Sequence, residues 1–547
     1  MALLRTRLRL WGAGAVCLAG LAALLAPVSH GSAGWTLRVA TAVYFTAGAC
    51  PLASPTCTSL DPARSVLSPF GNLAAQDLCA TLYRYPDLGG RRGEKLEPEV
   101  AARPPRVSDH GRVYTFILRK GFRFNTGARV RAANFAAAIN RDLNPQINSP
   151  AVPYLSDVVG VAGVIGGGAT KAAGVTARGM KLTIRLTHRP SDLLPRLTMR
   201  PFCAIPTNTP VDPQVPIPSA GPYYVSHLDK NALVLGRNPS YGGNRLRGPA
   251  KIVWKLNQPF DSILGEVVRG DADDGIISPL ATSQAAKAYP SQFHLAPGGT
   301  GVACLALNTS RPLFRNNPQL RRAVNYALNR RALAHEWFGF VSGPTDQYLP
   351  SGMPGFRDKR IYPTFPKLRK AKALAKGHLR GGTAIMYASN PSSTALARAQ
   401  IVKEDLSKIG LNVQISSTGI RGSAGNRDEP FDIVDSGCPF PAPYLDPYPL
   451  LNLGFDGSRI QQNNNSDVSY FDNPRFNRLL EQAGSLQGRA RYRAYAKIDD
   501  ELASKAAPAV AYANFDYWAF VSKRIGCVRL NPLTGLVYGA LCLKHSG

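Results

Sequence analysis

Hydrophobic and polar positions alternate most regularly in the stretch Val113–Arg141. Tyr114, Phe116 and Leu118 alternate with Thr115, Ile117 and Arg119, the period of a strand with two unlike faces. Gly121 breaks that run. Phe122-Arg123-Phe124 is a second, shorter alternation, and Asn125-Thr126-Gly127 has turn chemistry. From Ala132 to Arg141 the period changes, with Phe135 and Ile139 four apart on one helical face. The local prediction is strand, turn, short strand, turn, helix.

The same reading extends along the chain. Trp35–Ala40 alternates as a strand, and Asp77–Asp87 reads as an amphipathic helix running into a strand. Residues 147–177 are rich in Gly and Val but contain neither phosphate-loop pattern, so they read as a surface loop near strands. Leu320, Val324, Ala327 and Leu328 fall at helical spacing within Asn317–Gly339. Leu396–Gly410, with Ile401, Leu406 and Ile409 as its apolar face, leads into a strand at Asn412–Ser416. Ala511–Ser522 is aromatic and alternating, and reads as one strand crossing back.

The wording of Val113–Arg141 resembles a signature of the family 5 extracellular solute-binding proteins, the peptide, nickel and sugar receptors of ABC importers. Other segments resemble that family in the family's order: Ser59-Leu60-Asp61-Pro62, Ser219-Ala220-Gly221-Pro222-Tyr223, Arg237–Gly243, Gly265–Ile276, Leu307-Asn308-Thr309 and Asp446-Pro447. One departure is Arg131, where the family usually has Thr or Ser. Arg cannot accept a bond from the free N–H groups of a helix start, so a weaker cap is expected.

The resemblance implies an α/β, two-lobe periplasmic-binding-protein-like fold of the large class, with an extra subdomain in lobe 1. The implied division is a signal peptide at 1–33, a lobe 1 core at 34–65, 215–300 and 512–547, the extra subdomain at 66–214, and lobe 2 at 301–511. It implies capture of a small solute, peptide first, in an interlobe cleft and delivery to a membrane ABC permease. The alternative in another class is an envelope-associated sensor or structural protein that keeps the fold without transport. Aromatic residues near the lobe edges are the expected lining: Tyr44 and Phe45 after the first strand, Phe440 and Tyr444 before Asp446. Peptide-binding relatives place an amine-binding Asp in this last loop, and Pro443 stands at that position here. Pro cannot make a charge-assisted bond to an ammonium group, which leaves Asp446 as the candidate substitute anchor, although the resemblance implies a structural role for that Asp more often, and leaves a sugar, nickel chelate or other small solute as alternatives to peptide.

Size and composition agree with this picture. At 547 residues the chain exceeds what one core supports, so two or three domains are expected. Arg5, Arg7 and Arg9 precede the uncharged run Leu10–Ala26, and Gly31-Ser32-Ala33 offers cleavage after Ala33. This is the pattern of a secretory signal peptide, with a retained membrane anchor as its rival. The expected location is the periplasm or cell envelope, outside the cytoplasmic membrane.

Beyond Cys17 the cysteines are Cys50, Cys57, Cys79, Cys203, Cys304, Cys438, Cys527 and Cys542. An even number in an exported chain points to disulfides, with 105 connectivities open. Cys50–Cys57 and Cys527–Cys542 are close in sequence. The resemblance implies Cys304–Cys438, and Cys79–Cys203 would remain. No C-x-x-C and no zinc-spaced Cys/His set occurs, so neither metal nor other cofactor is expected.

The formal net charge of +30 fits an Arg-rich solvated surface or association with anionic membrane or cell wall. No nucleic-acid motif accompanies it, and nucleic acid is not expected as a partner. H-E-x-x-H fails after His335-Glu336, and G-x-S-x-G is absent, so no enzyme is expected.

Overall fold

In the computed structural model, residues 34–51, 57–65, 74–337, 341–390, 392–420, 423–435, 437–438, 442–463 and 465–544 are described. The leader and Phe440 lie outside these residues. Three sheets organise the rest. The first sheet runs in the spatial order Tyr223–Leu228, Ala232–Arg237, Lys251–Lys255, Thr36–Ala40, Asp274–Gly275. Thr36–Ala40 is parallel to both of its neighbours. Leu37 and Val39 point into a core with Trp254, Tyr223 and Tyr538, which is the core of lobe 1.

The second sheet belongs to the extra subdomain, in the order Arg106–Ser108, Val113–Ile117, Lys181–Arg185, Val175–Arg178, antiparallel throughout. Tyr114 and Phe116 face inward, as their alternation predicts, and share a core with Phe135 and Ile139 of the helix Ala132–Asp142. Arg131 at the start of that helix makes no side-chain cap bond. The reciprocal half of a capping box survives: Asn134 Oδ1 accepts from the Arg131 N–H at 2.8 Å. Phe122–Phe124 is reduced to a single bridge between Arg123 and Arg129.

The third sheet forms lobe 2: Val341–Gly343, Ala509–Phe515, Val302–Leu307, Ile433–Asp435, Thr383–Ala388, Asn412–Ile420. Its last three strands are mutually parallel. The helices Pro318–Ala327 and Ser393–Ser407 bury Leu320, Val324, Val402 and Leu406 against it.

Two expectations need correction here. Ala511–Ser522 is two strands in different sheets: Ala509–Phe515 pairs within lobe 2, while Tyr517–Phe520 pairs with Phe293–Ala296. The chain therefore passes from one sheet to the other at Phe515–Tyr517. Asp77–Asp87 is also not a helix running into a strand; only Tyr83–Arg84 is regular there. Its carbonyls are claimed from elsewhere, Asp77 O by Tyr223 N at 3.0 Å and Leu78 O by Gly221 N at 3.2 Å. Those long-range bonds replace the i→i−4 ladder.

Four disulfides join Cys50–Cys57, Cys79–Cys203, Cys304–Cys438 and Cys527–Cys542, with Cα separations between 5.4 and 5.7 Å. Among the described residues no helix is long and apolar enough to cross a membrane.

Candidate ligand cleft

In open α/β sheets, ligands sit in the crevice outside the carboxyl ends of parallel strands. In lobe 1 the chain leaving the carboxyl end of Thr36–Ala40 forms the short strand Tyr44–Thr46, parallel to Cys57–Ser59. In lobe 2 the chain leaving Ile433–Asp435 forms the loop that ends at Asp446-Pro447. Two segments join the lobes, one between Ala296 and Val302 and one between Phe515 and Tyr517. They are tied together by Gly299 N to Phe515 O at 2.9 Å and Gly298 N to Asp516 Oδ1 at 3.1 Å.

A cavity of about 330 Å³ lies against these crossings, lined from both lobes by Gly90, Glu94, Gly298, Gly352, Tyr517 and Pro532, among others. That is within the range of small-ligand pockets. Gly352 has to be glycine there, because a Cβ would collide with the Gly298 carbonyl.

The described residues before Asp446 are tied to the Thr300–Cys304 segment. Gly437 N donates to Cys304 O at 3.0 Å beside the Cys304–Cys438 disulfide, and Ala442 N donates to Thr300 O at 3.0 Å. Tyr444 is fully buried. Its hydroxyl donates to Asp192 Oδ2 at 2.6 Å, and its ring meets Tyr154 edge-on. Both partners belong to the extra subdomain. Asp192 also receives Arg196 at 2.7 Å, and Arg196 reaches Asp157 at 2.6 Å. Burial works against the Asp192 charge, but Arg196, Arg491 and the Tyr444 hydroxyl outweigh it and hold the carboxyl below its usual range. Leu445 N donates to Tyr85 Oη at 3.2 Å, and Ser191 Oγ donates to Gly484 O at 3.1 Å. Lobe 2 therefore sits directly on the extra subdomain.

Asp446 is 2% exposed. Arg491 grips it with both arms of its fork, Nη2 to Oδ1 at 2.7 Å and Nε to Oδ2 at 3.0 Å, and Tyr448 N adds a bond at 2.9 Å. Burial pushes the carboxyl up and Arg491 pulls against it. Phe45 is 4% exposed and edge-on to Trp254, with ring centroids 5.5 Å apart, a packing position in the lobe 1 core. Tyr44, its neighbour on the strand, is half-buried and packs at the edge of the same core. The structure thus brings Tyr444 and Asp446 together in one interlobe network and keeps Phe45 apart from it.

The model of the bacterial extracellular solute-binding proteins, family 5, middle region, matches residues 95–462. The chain belongs to this family. The glutathione-binding protein GsiB of Salmonella choleraesuis is 23% identical over 387 residues, covering 67% of this chain and 71% of that protein. Among solved structures, the clavulanic acid biosynthesis oligopeptide binding protein 2 superposes with a TM-score of 0.79 at 21% identity, covering 94% of this chain and 96% of that one. The Escherichia coli murein tripeptide binding protein MppA superposes with a TM-score of 0.71 at 20% identity, covering 94% and 99%. This family 5 protein is an exported substrate-binding component with the two-lobe α/β fold.

Two charged residues of this family 5 protein contrast in how they are paired. The Asp446 carboxylate has both oxygens engaged by Arg491, so it offers no open face to an ammonium group in this arrangement. A residue absent from the sequence reading, Arg200, has the opposite character. Its Nη2 donates to Ser65 O at 2.9 Å, while among the described residues Nε makes no hydrogen bond. Burial pulls its pKa down, and no carboxylate offsets that. Ser65 ends the turn that follows Cys57–Ser59, so Arg200 lies beside that turn. By contrast Arg141, on the same side, is neutralised by Asp61 at 2.6 and 2.8 Å. Among the 65 Lys and Arg residues nothing in the sequence marks Arg200; in lobe 2 Arg321 is likewise buried with backbone carbonyls as its hydrogen-bond partners, and burial pulls its pKa down too. Among the described residues no three His, Cys, Asp or Glu side chains gather to hold a metal ion.

Proposed function

We propose that the protein captures a peptide or peptide-like solute between its lobes and delivers it to an ABC permease from the outer side of the cytoplasmic membrane. An anionic envelope surface is its second proposed partner. Relatives named for glutathione, oligopeptide and murein tripeptide binding support a peptide-like cargo. In this reading Tyr44 lines the lobe 1 side, and Arg200 anchors the cargo by a carboxylate rather than by its amine. The observation that carries it is the contrast between a guanidinium without a counter-charge and an Asp446 already paired. A carboxylate held by Arg gains a charge-assisted, bidentate bond that an ammonium cannot make there.

Titration calorimetry on a free tripeptide, its C-terminal amide and its N-acetyl form tests this. Amidation, or Arg200→Gln with the free peptide, is expected to weaken binding by about tenfold or more. N-acetylation is expected to matter less. The reverse order would overturn the carboxylate anchor.

A further inference from the structure

The sheet of the extra subdomain turns one face to the core and the other to solvent. Tyr114, Phe116, Leu182 and Ile184 take the inner face. On the outer face Arg106, Thr115, Thr183 and Thr176 form one row across the four strands. Ser108, Val113 and Arg185 form the row on one side of it, and Ile117, Lys181 and Arg178 the row on the other. The Thr115 and Thr183 hydroxyls, 3.5 Å apart, share this face. Arg106, Arg178, Lys181 and Arg185 are all exposed. No Asp or Glu occurs in the three rows, and among the described residues none of the four cations pairs with a carboxylate. The acid at the rim, Asp109, is taken by Arg112 at 2.7 Å.

Strand spacing and rise place the four charges within about 14 Å by 14 Å on one face of the sheet. Arg178 and Lys181 are direct cross-strand partners, an arrangement that costs stability until an outside anion relieves it. One apolar side chain, Ile117, sits among the cations on this face.

We propose that this face docks the receptor on an anionic phospholipid bilayer. An acid-free, cationic sheet face is complementary in charge to an anionic surface, and basic residues near such a surface each add attraction that salt screens. The choice of a bilayer rests on the delivery reading, since the permease lies in one; the binding itself needs no cargo.

The test is co-sedimentation of the full chain with vesicles of equimolar phosphatidylglycerol and phosphatidylcholine, set against phosphatidylcholine alone. The readout is the preference for the anionic vesicles. The variant Arg106→Gln, Arg178→Gln, Lys181→Gln, Arg185→Gln is expected to lose about tenfold or more of that preference. A control of equal charge loss, Lys367→Gln, Arg369→Gln, Lys372→Gln, Lys376→Gln on exposed lobe 2 positions, is expected to lose less than about twofold. Should the fourfold variant melt early, Arg178→Gln with Lys181→Gln relieves a like-charge pair and carries the same test. Equal losses in face and control variants would overturn the proposal, as would an unchanged preference. So would binding to soluble polyphosphate without binding to vesicles. Cargo affinity measured on the same variants separates failure of this docking from failure of solute capture.

Discussion

Replacing Arg491 by Met is expected to lower stability by about 3–5 kcal/mol at neutral pH, the cost of leaving a buried charge unpaired. Both Asp446 oxygens are bound to the Arg491 fork, and the two side chains are each 2% exposed. Arg491 also donates to the carbonyls of Ala483 and Gly484 at 3.0 and 2.7 Å, so it ties the helix Pro474–Ser485 to the cleft loop. Urea unfolding followed by circular dichroism measures the loss. The deficit should shrink in acid, where a lone Asp446 takes up a proton. The double variant Asp446→Leu, Arg491→Met should recover most of it, because replacing a buried ion pair by apolar groups is often close to neutral. A deficit under about 1 kcal/mol at neutral pH would mean that the pair is hydrated rather than buried.

Asp77→Asn is expected to stabilise the protein in a pH-dependent way. Asp77 is buried, and its Oδ2 makes no hydrogen bond among the described residues. Burial, with the Asp87 charge adding to it and Arg245 and Arg84 opposing, pushes its carboxyl up to about 7. An unfolded Asp releases its proton near pH 3.9. The folded state therefore holds a proton that the unfolded state has lost, and stability falls as pH rises from about 4 to about 7. Asn carries no such penalty. Melting curves of the two proteins should run close near pH 4, separate through neutrality and stay parallel above it. The final gap should be about 2–4 kcal/mol in favour of Asn, from roughly three units at 1.36 kcal/mol each. A gap independent of pH would show that the carboxyl titrates normally.

The sequence made the architecture legible where local pattern and tertiary demand coincide. The alternation of Tyr114, Phe116 and Leu118 and the spacing of Phe135 and Ile139 both describe faces that bury against the same core. Asp77–Asp87 shows the opposite case, since its backbone bonds go to Gly221 and Tyr223, far along the chain. The aromatic at 444 was legible as an important position but not as one locked onto Asp192, because that partner is remote in sequence. Asp446 was legible as a carboxylate near the cleft, while Arg491 was not legible as the group that takes it up. Arg200 could not be read at all, since its burial and its pairing to the Ser65 carbonyl depend on a segment remote in sequence.

The account depends above all on the two lobes closing around a cargo. The most direct measurement is small-angle scattering on the protein with and without a peptide whose binding calorimetry has established. A smaller radius of gyration in the bound sample is the predicted result. An unchanged radius at saturation would contradict closure between the lobes.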